Sequence, residues 1–503
     1  MAFTDYFYSY TDILSPVRLD KGVRCGAGWI SDRKKCRVGS GSTPSFSLEM
    51  PSNPKLTLKE HQLRIAAKLK DQRGLIIDHG LGSGKTLTAI NAAEDYGGAV
   101  VVTPASLREN FKKELKRARA KGSYEVYSYE EFVKKRPDLK GKMLIVDEAH
   151  NLRNSSSKRT QALLETSKDA EKVLALTATP IQNHPHEIAP LVNLVTGENT
   201  LPLSESAFNE RFVQKKTVVP NLFDRVFKRV PVYKTAVPKN LEEFNRRTAK
   251  YIDYYVPTKE GYPTVEEQTI EVPMSKGQIQ AHRYWSHKLD PLTRRKIQKN
   301  LPLNKTEAEK LNTFINAQRQ IANTSDRFNK DDKTAPKVQA AIDRIKISDG
   351  SALIYSNYIG SGVDPLSKAL NKEGITHKTF TGGLNDKEKK SIVDSYNKGK
   401  LKALIISSTG GEGLDLKRTR QVHILEPHWN DEKINQVIGR AARYKSHADL
   451  PEDQQVVNVY KYVSKIPGSS ERTADQYLTE VSRRKKELNS GFTAAWRNPK
   501  KRT

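Results

Sequence analysis

The chain has 503 residues, room for two or three domains, and its 86 Lys+Arg against 58 Asp+Glu give a formal charge of +28. An excess of that size points to a polyanionic partner, nucleic acid first. A mean hydropathy of −0.68 goes with no apolar run long enough to span a bilayer, and two cysteines, Cys25 and Cys36, exclude a disulfide framework or a four-cysteine zinc site.

Residues 1–50 read as an appendage, aromatic at the start, basic at Arg33-Lys34-Lys35, then linker-like at Gly39-Ser40-Gly41-Ser42. The opening residues lack the basic start and apolar core of a secretory signal. An intracellular protein is expected. From Pro54 onward, apolar strand-like runs alternate with helical patterns, with strands predicted at 75–78, 99–103, 143–147 and 173–177. A second set is predicted at 351–356, 377–380, 401–407, 421–425 and 456–462. Alternation of this kind predicts an α/β fold with parallel sheets and helices on both faces. The middle, about 196–335, reads as more helical, and the tail from Ser482 is strongly basic. That tail is expected to add to nucleic-acid binding.

Chemistry concentrates at the ends of the predicted strands. Leu75-Ile76-Ile77-Asp78 runs into Gly80-Leu81-Gly82-Ser83-Gly84-Lys85-Thr86, a glycine-rich turn before a helix. Backbone N–H groups of such a turn cradle phosphates, here around Gly82, Ser83 and Gly84. Lys85 reaches the β/γ phosphates and the Thr86 hydroxyl holds Mg²⁺. Met143-Leu144-Ile145-Val146 ends in Asp147-Glu148, with Asp147 placed for Mg²⁺ and Glu148 for the attacking water. Later, Gln436-Val437-Ile438-Gly439-Arg440-Ala441-Ala442-Arg443 sets Arg440 and Arg443 three apart, on one face if helical. On that face both can point into one cleft.

The order of these motifs resembles that of superfamily 2 helicases and translocases, over residues 55–465. The resemblance implies two RecA-like parallel-sheet domains closing on ATP and Mg²⁺, with a helical insertion between the motif sets. It divides the chain into 1–50, 51–260, 261–470 and a basic tail 471–503. Gln62, in Leu58-Lys59-Glu60-His61-Gln62, is implied to read the adenine edge. Thr103-Pro104, Thr177-Ala178-Thr179 and Thr409-Gly410 are implied to touch the nucleic-acid backbone, and Asp415 to lie near the nucleotide. Gln436, Arg440 and Arg443 complete the implied catalytic set. His79 stands where the strict phosphate-loop pattern has its first glycine.

Within the superfamily the likeness is to Swi/Snf-type double-stranded DNA translocases. It is carried by Tyr262-Pro263, Gln268-Thr269-Ile270-Glu271-Val272 and the helix-like Phe314–Asn323. Glu426-Pro427-His428-Trp429-Asn430 and Tyr444-Lys445-Ser446-His447 resemble a viral branch of poxvirus-type transcription ATPases and phage DNA helicases. The implied function is an ATP-dependent DNA translocase or helicase, expected as a monomer, with viral replication or transcription proteins as partners. DNA is favoured over RNA. Three alternatives stay open: a DEAH-type RNA helicase, from Asp147-Glu148-Ala149-His150; the motor of a viral transcription complex; and a non-catalytic nucleic-acid-binding subunit. About 60 residues follow Arg443, fewer than a DEAH-type accessory region uses.

Overall fold

The computed structural model describes residues 22–25, 28–31, 58–80, 82–219, 232–256, 260–298, 305–326, 328, 332–407, 414–429 and 432–497. A hairpin of β1 (Gly22–Cys25) and β2 (Gly28–Ser31) comes first, with Cys25 opposite Gly28. Cys36 lies outside the described residues.

The first large sheet contains β3 (Gly74–His79), β4 (Gly98–Thr103), β5 (Ser123–Ser128), β6 (Met143–Val146) and β7 (Lys172–Thr177). After an antiparallel pair, β8 (Val213–Val218) and β9 (Tyr233–Pro238), the chain returns to this sheet as β10 (Ile252–Tyr255). The order is β10-β3-β7-β6-β4-β5 and every pairing is parallel. β3, β4 and β6 are buried along their whole length, as parallel strands covered on both faces must be. Alternate residues of these strands feed two cores, Ile76, Val102 and Val146 on one face, Leu75, Val101 and Ile145 on the other.

The second sheet runs β11 (Thr264–Pro273), β12 (Ser351–Ser356), β13 (His377–Phe380), β14 (Ala403–Ser407), β15 (Thr419–Ile424) and β16 (Val456–Lys465). It is also all parallel, in the order β11-β16-β15-β12-β14-β13. Two α/β halves therefore stand where the alternating pattern predicted them. The middle is helical at Glu205–Phe212, Leu241–Thr248, Lys276–His287, Pro291–Gln298 and Lys305–Asn323, and it also contributes β8 to β11.

Within the expected basic tail the described residues form a helix, Ala474–Arg497. At 1.5 Å per residue its 24 residues reach roughly 36 Å. Its first turns belong to the second half, where Tyr477 and Leu478 pack with Ile297, Leu311 and Ile315. Asp475 forms a fully buried ion pair with Lys337 at 2.5 Å and accepts the Ser464 N–H at 2.9 Å. Its last turns belong to the first half. Phe492 packs on Phe244 with ring centroids 4.9 Å apart, and Trp496 is buried beside the same ring. Arg483 and Arg484 are matched within the helix by Glu480, and Arg497 by Asp78 of the first half. The helix Ala474–Arg497 is thus a strut between the halves. No helix among the described residues is long and apolar enough to cross a membrane.

Candidate active site

Because both sheets are parallel, the loops that follow β3, β7, β6 and β4 all emerge at one edge of the first sheet. β7 lies between β3 and β6, so Thr177 and Thr179 stand between the phosphate loop and the acidic pair.

The loop after β3 turns on Gly82 and Gly84, both left-handed at φ +75° and +79°. Gly84 caps the helix Lys85–Glu94, and a Cβ there would sit 2.6 Å from Gln62 Nε2. The helix Glu60–Lys70 pins the loop from below: His61 Nε2 lies 2.9 Å from the Ser83 carbonyl, and Gln62 Nε2 donates to it at 3.4 Å. Gln62 Oε1 accepts the Lys59 N–H at 2.9 Å. The adenine-edge role expected of Gln62 therefore meets an amide engaged at both ends, with the side chain acting as a brace for the loop. Lys85 Nζ donates to the His79 carbonyl at 3.1 Å and reaches that of Gly80 at 3.5 Å. The buried hydroxyls Ser83 Oγ and Thr86 Oγ1 have no protein partner. Orphaned hydroxyls at a helix N-terminus fit phosphate oxygens and a hard cation such as Mg²⁺.

Asp147 hangs from the end of β6. Its N–H donates to the Val102 carbonyl at 2.8 Å, Thr103 Oγ1 donates to Oδ2 at 3.1 Å, and the Glu148 N–H donates to Oδ1 at 3.1 Å. Glu148 is left-handed, at φ +49°, a strained setting for a residue with a Cβ. The buried Tyr129 hydroxyl holds the turn by donating to the Asp147 carbonyl at 2.8 Å and reaching that of Glu148 at 3.2 Å. Burial, reinforced by Asp147 and Glu148, pushes this hydroxyl well above the usual tyrosine range, so it stays a donor. His150 Nδ1 lies 3.1 Å from Glu148 Oε2.

Thr103, Pro104 and Thr177 are buried. The Thr103 hydroxyl serves Asp147, and Thr177 Oγ1 accepts the Thr179 N–H at 3.0 Å. These side chains face the protein, whereas Thr179 is half-buried. Thr409 and Gly410 lie outside the described residues.

In the second half the helix Glu432–Ala441 ends before Arg443, so the two arginines do not share a helix face. Arg440 is buried on the last turn. Arg443 lies beyond it, its N–H donated to Ser446 Oγ at 3.1 Å and its Nη1 3.4 Å from Asp415 Oδ1. Asp415 is thus a partner of Arg443. Gln436 is half-buried on the same helix. Tyr262, ahead of β11, packs against Tyr444 with ring centroids 5.7 Å apart.

A charged cluster beneath the loop was not anticipated. Asp253 on β10, buried, accepts from Arg64 Nη2 at 2.6 Å and Lys68 Nζ at 2.5 Å, and lies 2.8 Å from His79 Nε2. Burial pushes its carboxyl up, but the bonds from His79, Arg64 and Lys68 together outweigh that and hold it well below the ordinary range. His61 stacks on Tyr255 at 3.7 Å between ring centroids. The only signal for this cluster was the β-branched and aromatic run Tyr251-Ile252-Asp253-Tyr254-Tyr255, readable as a strand.

Comparison with known proteins agrees with this architecture. Residues 122–327 match the SNF2-related domain, and residues 336–445 match the helicase conserved C-terminal domain. The chain is 33% identical to the putative ATP-dependent RNA helicase L538 of Acanthamoeba polyphaga mimivirus, covering 86% of this chain and 95% of that protein. It is 26% identical to a termination factor NPH-I homolog of African swine fever virus, over 84% of this chain and 75% of that one. The uncharacterized ATP-dependent helicase YqhH of Bacillus subtilis is also 26% identical, over 79% and 75%.

Proposed function

The chain belongs to the Swi/Snf-like branch of the superfamily 2 helicases, with viral relatives, and we propose that it couples ATP hydrolysis to movement along double-stranded or forked DNA. Nucleic-acid-dependent ATP hydrolysis goes with the family. The observation that carries the site assignment is the convergence of Lys85, Thr86, Asp147 and Glu148 at one sheet edge, with the Thr177–Thr179 turn between them.

In this reading Lys85 binds the β/γ phosphates, and Thr86 with Asp147 holds Mg²⁺, which supplies positive charge to the phosphate oxygens. Glu148 orients the attacking water. Arg440 and Arg443, from the second half, neutralise charge on the γ-phosphate when the halves close. Thr179, Thr409 and Gly410 are the candidate strand contacts, and the charge of +28 supports a phosphate backbone as partner. The printed name of the mimiviral relative favours RNA as a second reading, and that of the African swine fever virus relative favours a motor in transcription termination.

The test is ATP hydrolysis by the purified chain with double-stranded DNA, single-stranded DNA, forked DNA or RNA. Stimulation by double-stranded or forked DNA is expected, and stimulation by RNA alone would overturn the DNA reading. Lys85→Ala is expected to abolish turnover, and Glu148→Gln to retain ATP binding while stopping hydrolysis. Near-normal turnover in Lys85→Ala would remove the site assignment.

A further inference from the structure

Asp78 is the penultimate residue of β3, flanked in register by Thr177 on β7 and Tyr254 on β10. It is 1% exposed. A carboxylate so deeply buried needs a cation or several donors. Its partners come from the far end of the sequence. Trp496 Nε1 donates to Oδ2 at 3.0 Å, Arg497 Nε donates to Oδ2 at 3.1 Å, and Arg497 Nη2 donates to Oδ1 at 3.3 Å. The guanidinium also lies over the Tyr254 ring, 5.2 Å from its centroid. The carboxylate is therefore held by one planar fork and one indole N–H, both at the end of the helix Ala474–Arg497.

The place of this lock gives it a consequence. Residue 79 follows directly, and its carbonyl accepts Lys85 Nζ at 3.1 Å. Lys85 is a second cation whose charge acts on Asp78. Without Arg497, the buried carboxylate would have the lysine of the phosphate loop among the cations that act on it. An ammonium on four flexible carbons then turns toward the carboxylate and away from the phosphates. Alternatively the carboxylate takes up a proton, because burial already pushes Asp78 up and the Arg497 guanidinium is the leading influence pulling it back.

We propose that Arg497 and Trp496 are positioning residues for ATP turnover: by neutralising Asp78 they keep Lys85 directed to the nucleotide phosphates. The same helix also reaches the turn after β7, where Asn489 Nδ2 donates to the Gln182 carbonyl at 3.1 Å. Its root is in the second half, at the Lys337–Asp475 pair. The lock is thus made by a segment that belongs to both halves, and its integrity depends on their relative placement.

The inference rests on the assignment of Lys85 to the phosphates, and the experiment separates the two. The full chain is assayed for steady-state ATP hydrolysis with saturating double-stranded DNA, or RNA if only RNA stimulates. Arg497→Ala is expected to raise the KM for ATP about tenfold, with a smaller fall in kcat. Arg497→Lys, which keeps a cation, is expected to lose less. The decisive variant is Asp78→Asn added to Arg497→Ala. Removing the unpaired charge frees Lys85, so the double variant is expected to recover most of the lost KM. A merely structural anchor would also be relieved by removing the unpaired charge, but its KM would then rise and fall with the unfolding midpoint. Unfolding midpoints of all variants show whether the KM changes follow stability. An Arg497→Ala enzyme with KM within about twofold of wild type, or a double variant no better than the single one, overturns the inference. Normal turnover by Lys85→Ala in the same assay would instead overturn the phosphate-site assignment.

Discussion

Several residues of this chain sit in environments that fix their protonation. His423 on β15 is fully buried, with Nδ1 2.8 Å from the Tyr462 hydroxyl and Nε2 3.0 Å from Gln421 Oε1. Burial, with the nearby Arg344 charge, pushes the imidazole down to about 3 from an ordinary 6.5. The folded state resists the proton that the unfolded chain accepts. The stability contributed by neutral His423 is therefore complete above pH 6.5 and is lost as pH falls from there toward 3. One such group gives a slope of about 1.4 kcal/mol per pH unit. Urea unfolding at a series of pH values is expected to show His423→Phe with a shallower acid dependence than wild type. His61 and His79 are also depressed by burial, so a residual slope is expected in that variant. An identical slope would mean that His423 is protonated without cost in the folded state.

At the scale of elements, the helix Ala474–Arg497 does what a tail does not: it completes the core of the first half. Phe492 lies in van der Waals contact range of the Phe208, Phe212 and Phe244 cluster and is 0% exposed. Truncating such a side chain costs about 3–5 kcal/mol. Phe492→Ala is expected to lower the urea midpoint accordingly, while the exposed Lys486→Ala leaves it within error. The helix was legible in part. Leu478, Val481, Leu488, Phe492 and Trp496 recur at spacings of three, seven, four and four, in step with one face of an amphipathic helix, but the run of cations hides the pattern when charge is counted alone. The alternation of β3, β4, β6 and β7 with helices was legible because fully buried parallel strands must be apolar throughout. Strand β5, Ser-Tyr-Glu-Val-Tyr-Ser, was not, because an edge strand needs no such run. The phosphate loop and acidic pair were legible because their chemistry needs particular residues at short spacing. Asp78, Tyr129 and Asp253 act through partners far away in sequence, which no local pattern records.

For the molecule as a whole, +28 is a statement about binding thermodynamics. If the charge serves a phosphate backbone, affinity for double-stranded DNA falls with salt, with a log–log slope of about −0.9 per phosphate contacted. Fluorescence anisotropy across a salt series is expected to show a steep line. A flat one would mean that the positive charge serves solubility instead. Deleting the segment from Ser482 is a poor probe of this question, since it also removes Phe492 and Trp496 from a core. That same dependence bears on how the protein is made. During synthesis the residues up to Tyr255 can form their sheet, yet the aromatic face of Phe208, Phe212 and Phe244 stays uncovered until some 240 further residues have been added. The nascent first half is therefore a sticky, unfinished body for much of translation. Its last layer arrives only when the ribosome has delivered Phe492 and Trp496, so a premature stop anywhere in the second half leaves the first half unfinished as well.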